Sequence, residues 1–258
     1  MSGATVVAIA NQKGGVGKST TAINLGAGVA FQGDRVLIID LDPQGNTSSG
    51  LGIDRSVIES STYEILVDGS PVVDVLEPTS VKGLHVVPAT IELAGAEIEL
   101  VSMFSRELRL KQALEAIRDD YDFVLIDCPP SLGLLTINGL AAADEVLIPI
   151  QCEYYALEGV SQLTRNIELV TGSLNPQLVV EGVVLTMFDG RTTLAADVVE
   201  QVRSHFGETA YKTVIPRTVR LSEAPSYGEP IEAYDDMSRG AIAYRELSRE
   251  FRRRHGRT

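Results

Sequence analysis

Short runs of β-branched and other apolar residues alternate along the chain with longer stretches in which apolar positions recur every three or four residues. The short runs predict strands over residues 5–10, 35–40, 84–88, 123–127, 145–150, 178–187 and 213–215. Several are apolar at almost every position, as strands covered on both faces must be. Within residues 106–119, Leu110, Ala113, Leu114 and Ile117 stand at i, i+3, i+4 and i+7 and predict a helix with one apolar stripe. Leu194, Val198, Val199, Val202 and Phe206 do the same over residues 193–206, and Gly207 is placed to stop that helix. Alternation of this kind predicts an α/β fold, a mainly parallel central sheet with helices on both faces. No repeat, low-complexity tract or linker breaks it, so residues 1–258 read as a single domain.

Composition changes that picture little. With 258 residues, 44% apolar and 22% charged, the chain matches an ordinary globular domain with a normal core. No apolar run reaches the ~18 residues of a membrane span, and the first residues lack a signal-peptide pattern, which predicts a cytoplasmic protein that stays off the membrane. Cys128 and Cys152 each lie in an apolar run and are expected to be reduced core thiols. His85, His205 and His255 are scattered singly and suggest no general base. The net charge of −13 argues at first against nucleic acid. Its distribution is uneven, however: residues 1–200 hold 11 Lys and Arg against 27 Asp and Glu, whereas residues 201–258 hold 11 against 8. Any contact with DNA is expected late in the chain.

Candidate chemistry concentrates in residues 13–20, KGGVGKST, between the first predicted strand and a helical stretch over 19–32. Gly14, Gly15 and Gly17 allow a tight turn that exposes successive N–H groups. The following helix adds its positive end, so phosphate oxygens are favoured twice. Lys18 is then placed to meet the β and γ phosphates and the Ser19 hydroxyl to ligate Mg²⁺, with Val16 and Thr20 completing the loop. Lys13 is a second lysine outside the general phosphate-loop pattern. Two carboxylate motifs accompany the loop. In IIDLDPQGN, residues 38–46, Asp40 ends an apolar run and is placed to hold a water of the metal shell, and Asp42 to orient a hydrolytic water. In FVLIDCPPS, residues 123–131, Asp127 follows four apolar residues, and Pro129 and Pro130 stiffen a segment placed to sense a γ-phosphate. ATP, Mg²⁺ and hydrolysis are the expectation.

These three motifs resemble those of the deviant Walker A ATPases, the family that contains the ParA and Soj partitioning proteins and MinD. The resemblance spans nearly the whole chain, including AGAEIEL at 94–100, PPSLGLLTINGL at 129–140, PIQCEYYALEG at 149–159 and VIPRTVRLSEAPS at 214–226. It implies a homodimer closed around two ATP molecules, with Lys13 of each subunit reaching the phosphates held by the other. It implies non-specific binding of double-stranded DNA on the nucleoid through Arg191 and Arg220, and hydrolysis stimulated by a ParB-type centromere-binding protein. It also implies adenine recognition by Pro216, Arg217 and Thr218, although many relatives carry Asn where Thr218 stands. The arginines at 252, 253, 254 and 257 leave two readings, added DNA charge or a frayed tail.

Three other functions fit part of the pattern. A MinD-like positioning ATPase would end in a membrane-binding amphipathic helix, and Tyr244, Leu247 and Phe251 form an apolar stripe beside arginines. That stripe is expected to dock on the core instead. A reductase of the nitrogenase iron-protein type needs two exposed thiolates from each subunit, and Cys128 and Cys152 are poorly placed for that. A dethiobiotin-type synthase needs a second catalytic constellation, for which the sequence offers no candidate.

Overall fold

The computed structural model describes residues 3–153 and 156–257. Eight strands, β1 (Thr5–Ile9), β2 (Val36–Asp40), β3 (Glu77–Pro78), β4 (Leu84–Val87), β5 (Phe123–Asp127), β6 (Glu145–Gln151), β7 (Val179–Phe188) and β8 (Ala210–Pro216), form one sheet in the order β3-β4-β2-β5-β1-β6-β7-β8. All neighbours run parallel except β3, which pairs antiparallel with β4. The central strands β1, β2 and β5 bury nearly every side chain, which explains their unbroken apolar sequences.

Helices α1 (Lys18–Phe31), α2 (Asn46–Gly50), α3 (Thr62–Leu66), α4 (Leu93–Glu99), α5 (Arg109–Glu115), α6 (Leu134–Ala142), α7 (Ala156–Ser173), α8 (Thr193–Phe206), α9 (Val219–Glu223), α10 (Ile231–Tyr234) and α11 (Arg239–Arg254) cover both faces. Apolar residues of α3 to α6 and of α7 and α8 pack into one core layer, and those of α1, α10 and α11 into the other. The helix predicted over 106–119 is shorter than its pattern. Ser105 takes a left-handed φ of 51° and a turn closes from Leu108 N to Ser105 O, so helical geometry starts only at Arg109. Its stripe still faces inward, with Leu110, Leu114 and Ile117 buried. The last predicted strand is longer than 213–215, because β8 pairs along β7 from Ala210 to Pro216.

The terminal helix α11 is docked, as its stripe predicts: Tyr244, Leu247 and Phe251 are all buried. Gly28 of α1 lets it come close, since a Cβ there would meet Ser248 at 2.9 Å. The arginines after it form neither a frayed tail nor a free basic cluster. Arg252 and Arg257 each hold Asp34 at 2.6 Å, and Arg254 stacks over Tyr211 with its guanidinium carbon 3.8 Å from the ring centre. Arg253 remains exposed.

Register fixes where the chemistry gathers. Ile9, at the end of β1, and Asp40, at the end of β2, both pair with Asp127 at the end of β5. Three loops far apart in sequence therefore leave the same carboxyl edge side by side, where open parallel sheets bind their ligands.

Candidate functional site

The loop between β1 and α1 is tied down from two sides. The buried Asn11 donates to Pro149 O at 2.7 Å and accepts from Lys13 N, while Thr186 Oγ1 of β7 donates to Val16 O at 2.8 Å. Gly15 and Gly17 adopt φ of 73° and 88°, a region closed to most side chains. Gly17 caps α1 without a side-chain hydrogen bond, and the first turn carries no acidic residue. The helix end thus keeps its N–H groups and positive dipole for an anion.

The loop opens on a cavity of about 610 Å³ whose lining includes Gly14, Gly15, Gly17, Lys18, Ser19, Thr20 and Asp42. Buried Val16 stands behind it. Lys18 is largely buried and donates to Lys13 O at 3.4 Å. Burial pushes its pKa down, and the nearby Asp127 and Asp42 resist that shift by favouring the charged ammonium. Asp42 is fixed by accepting from Gln44 N at 2.9 Å.

Asp40 and Asp127 lie fully buried. Burial raises the pKa of each, and for Asp127 the neighbouring Asp40 charge adds to the rise. Both oxygens of Asp40 are engaged, Oδ1 by Asp42 N and Oδ2 by the N and Oγ of Ser48. These bonds tie the Asp40 carboxylate to the start of α2. Asp127 accepts from Thr47 Oγ1 at 2.7 Å through Oδ2, whereas buried Oδ1 makes no hydrogen bond. The Ser19 hydroxyl is near enough to lower the Asp127 pKa in part without completing that bond. An orphaned carboxylate oxygen beside a hydroxyl at the phosphate loop suits a hard cation or its water shell.

The resemblance implies that Lys13 reaches the phosphates held by the other subunit; in this single subunit its ammonium pairs with Glu153 at 3.3 Å on the surface. A smaller cavity of about 150 Å³ opens beside Gly17 and Thr20 and is lined by Pro216, Arg217 and Thr218, with Thr186, Met187 and Tyr244 among its other walls. Thr218 also caps α9, its hydroxyl accepting from Leu221 N. Met187 walls both cavities and holds a left-handed φ of 53°. Arg191 is highly exposed and pairs with Asp189, while Arg220 pairs with Glu223 and Asp235. Arg191 shares a third cavity with Arg217 and Arg239, and Arg239 carried no sequence signal. Arg55 was missed as well: it donates to the carbonyls of Pro43, Gln44 and Ala89 and braces the turn that carries Asp42.

Both thiols are unsuited to ligating a cluster. Cys128 is fully buried with its pKa pushed up by desolvation, and burial pushes that of Cys152 up to about 11. Among the described residues no group of three or more His, Cys, Asp or Glu is placed to hold a metal on its own.

A phosphate loop and aspartate-tipped strands in adjacent register are the mark of P-loop nucleotide-binding proteins, and this chain is one of them. Residues 4–180 match the family described as an AAA domain. The chain is 60% identical to the sporulation initiation inhibitor protein Soj of Bacillus subtilis, over 95% of its own length and 97% of that protein. It is 52% identical to the chromosome-partitioning ATPase Soj of Treponema pallidum, over 98% and 99%. A solved structure of cobyrinic acid a,c-diamide synthase from Mycobacterium smegmatis, with bound ATP analog and magnesium, superposes with a TM-score of 0.86 at 41% identity, covering 98% of this chain and 96% of that one. The chain belongs to the Soj/ParA family of chromosome-partitioning ATPases.

Proposed function

We propose that this ATPase is a nucleotide-driven partitioning switch that dimerises around ATP, holds nucleoid DNA without sequence preference in that state, and lets go when a ParB-type centromere-binding protein speeds hydrolysis. The observation that carries this reading is the convergence of the glycine loop and Asp42 on one cavity, with Asp127 buried at the strand end that pairs with those of β1 and β2.

Residues 14–20 and the open end of α1 bind the triphosphate, and Lys18 supplies a fixed cation beside it. Ser19 and Asp127 would hold Mg²⁺, with Asp40 toward a water of its shell, and the ion would neutralise phosphate charge. Asp42 orients the attacking water, its carboxylate already immobilised by Gln44 N. Lys13 serves the partner subunit's nucleotide. Its ion pair with Glu153 is exposed, a contact worth about 0–1 kcal/mol and therefore easily exchanged. The small cavity beside Thr20 takes the adenine, with Pro216 and Thr218 in its wall. Arg191 and Arg220 contact DNA phosphates, and two copies in a dimer multiply those contacts. This places the protein in the cytoplasm on the nucleoid. A MinD-like membrane role is less supported because the apolar stripe of α11 is spent inside the core, and no described helix is long and apolar enough to cross a membrane.

Size-exclusion chromatography and DNA binding with ADP, ATP and a slowly hydrolysed analogue test the switch. The expected outcome is a monomer with ADP and a DNA-binding dimer with the analogue; a chain that stays monomeric in saturating analogue and Mg²⁺ overturns the reading.

A further inference from the structure

Residues 91–104 hold several large apolar side chains out in solvent. Ile91, Ile98 and Val101 are exposed and spaced at i, i+7 and i+10, on one side of α4 and the short 3-10 turn that continues it. Ile98 is 78% exposed, and Phe104, just beyond the turn, is 97% exposed. The opposite side, Leu93, Ala96 and Leu100, is fully buried, so the segment is pinned to the core with its outer stripe held in water. An ordered stripe of large apolar side chains rimmed by charge marks an interaction site. The rim here is acidic: Glu92 and Glu99 are exposed beside the stripe, and the next charges, Arg106 and Glu107, neutralise each other.

Glu97 connects this surface to the phosphate cavity. It lies on the inward side with Leu93, Ala96 and Leu100, and its buried Oε1 has no hydrogen-bond partner. The carboxylate rests on Gly133, where a Cβ would meet Oε1 at 1.7 Å and Cδ at 2.7 Å. Gly133 caps α6 and closes the segment after Asp127 that includes Pro130, a wall of the phosphate cavity. An unsatisfied buried carboxylate takes a cation readily, because pairing restores what burial removed.

We propose that the outer face of residues 91–104 docks a cationic, apolar-anchored segment of the stimulating centromere-binding protein, and that Glu97 transmits its arrival through Gly133 to the Pro130 wall. This rests on the switch described above. The occupant is positively charged because the rim is negative and the unpaired buried oxygen of Glu97 belongs to a carboxylate. It carries an apolar anchor because Ile98, Val101 and Phe104 offer a stripe with nothing on it. Drawing Glu97 toward a docked cation unloads Gly133, so the segment behind Pro130 shifts where hydrolysis occurs.

The test uses the full chain with purified full-length ParB-type protein and DNA. Basal ATP turnover, analogue-dependent dimerisation and stimulated turnover are measured for wild type, Phe104→Glu, Ile98→Glu and Glu97→Gln. The expected result is unchanged basal turnover and dimerisation in all three variants with stimulation reduced by roughly tenfold, the scale of losing one anchor of an interface. Stimulation at the wild-type level in Phe104→Glu and Ile98→Glu overturns the docking surface while leaving the switch intact. Loss of analogue-dependent dimers in those variants overturns it too, because the stripe then belongs between copies of this chain. A wild-type chain that dimerises but is not stimulated overturns docking and partner together. Glu97→Gln separates transmission from docking: normal stimulation in that variant removes Glu97 from the proposal.

Discussion

Three charged residues at the phosphate loop are held in three ways, and each arrangement sets what its removal does. Asp42 is anchored by one backbone N–H at the cavity rim, so its loss disturbs little beyond itself. Asp42→Ala is expected to bind ATP and dimerise while turnover falls by about 100-fold or more, the usual contribution of a positioned base, as read in a single-turnover assay. Lys18 sits inside the loop, partly desolvated, with carboxylates on its far side. Lys18→Ala removes the one fixed cation of the cavity, and analogue-dependent dimers are expected to vanish in size-exclusion chromatography. Asp40 is held by the N–H of Asp42 and by Ser48. What sequence could convey about these residues was their type and their place at strand ends. It could not convey that Ser48, eight positions on, turns back to occupy Asp40. Nor could it convey that Arg55 spans three separate carbonyls, since bonds to backbone leave no residue pattern.

Among the elements, α11 has the most to lose from charge. Asp34 is almost fully enclosed and receives both Arg252 and Arg257. Arg252→Gln is therefore expected to lower the thermal midpoint by several degrees while DNA affinity at fixed salt stays the same, because truncating one member of a buried pair costs about 3–5 kcal/mol at most. The neighbouring His255 is largely buried, which alone would lower its pKa. Its bonds to Glu145 and Phe251 O outweigh burial and raise it. A histidine with a raised folded-state pKa contributes stability below its ordinary value near 6.5, and that contribution is lost as pH climbs through the folded value. The opening free energy of the last turn of α11, taken from hydrogen exchange corrected for the intrinsic pH dependence of amide exchange, should fall as pH rises above about 6.5 in wild type and stay flat in His255→Gln. Elements were readable wherever burial on both faces forced an unbroken apolar run, as in β2 and β5, or where one face did so at helical spacing, as in α8. β3 was not, since Glu77 and Pro78 pair with the sheet edge through backbone alone and carry no apolar signal.

At the scale of the molecule, the acidic excess reaches the proposed DNA contacts themselves. Arg191 and Arg220 each carry a nearby carboxylate that a DNA phosphate must displace. Exposed pairs exchange cheaply, so these acids tune affinity without blocking it. Arg191→Ala should reduce the slope of log affinity against log salt by roughly one, and Asp189→Asn should tighten binding at the same salt, both by fluorescence anisotropy on a random duplex.

Met187 belongs to that same scale. Its left-handed backbone sits where the two cavities share a wall, two residues before Asp189 and four before Arg191. A non-glycine residue there is a loaded hinge, costing on the order of 1 kcal/mol and persisting only while its surroundings hold it. Under the proposed switch, a nucleotide that enters or leaves beside that methionine pulls on the short length of backbone leading to Arg191, and so links occupancy to the proposed hold on DNA.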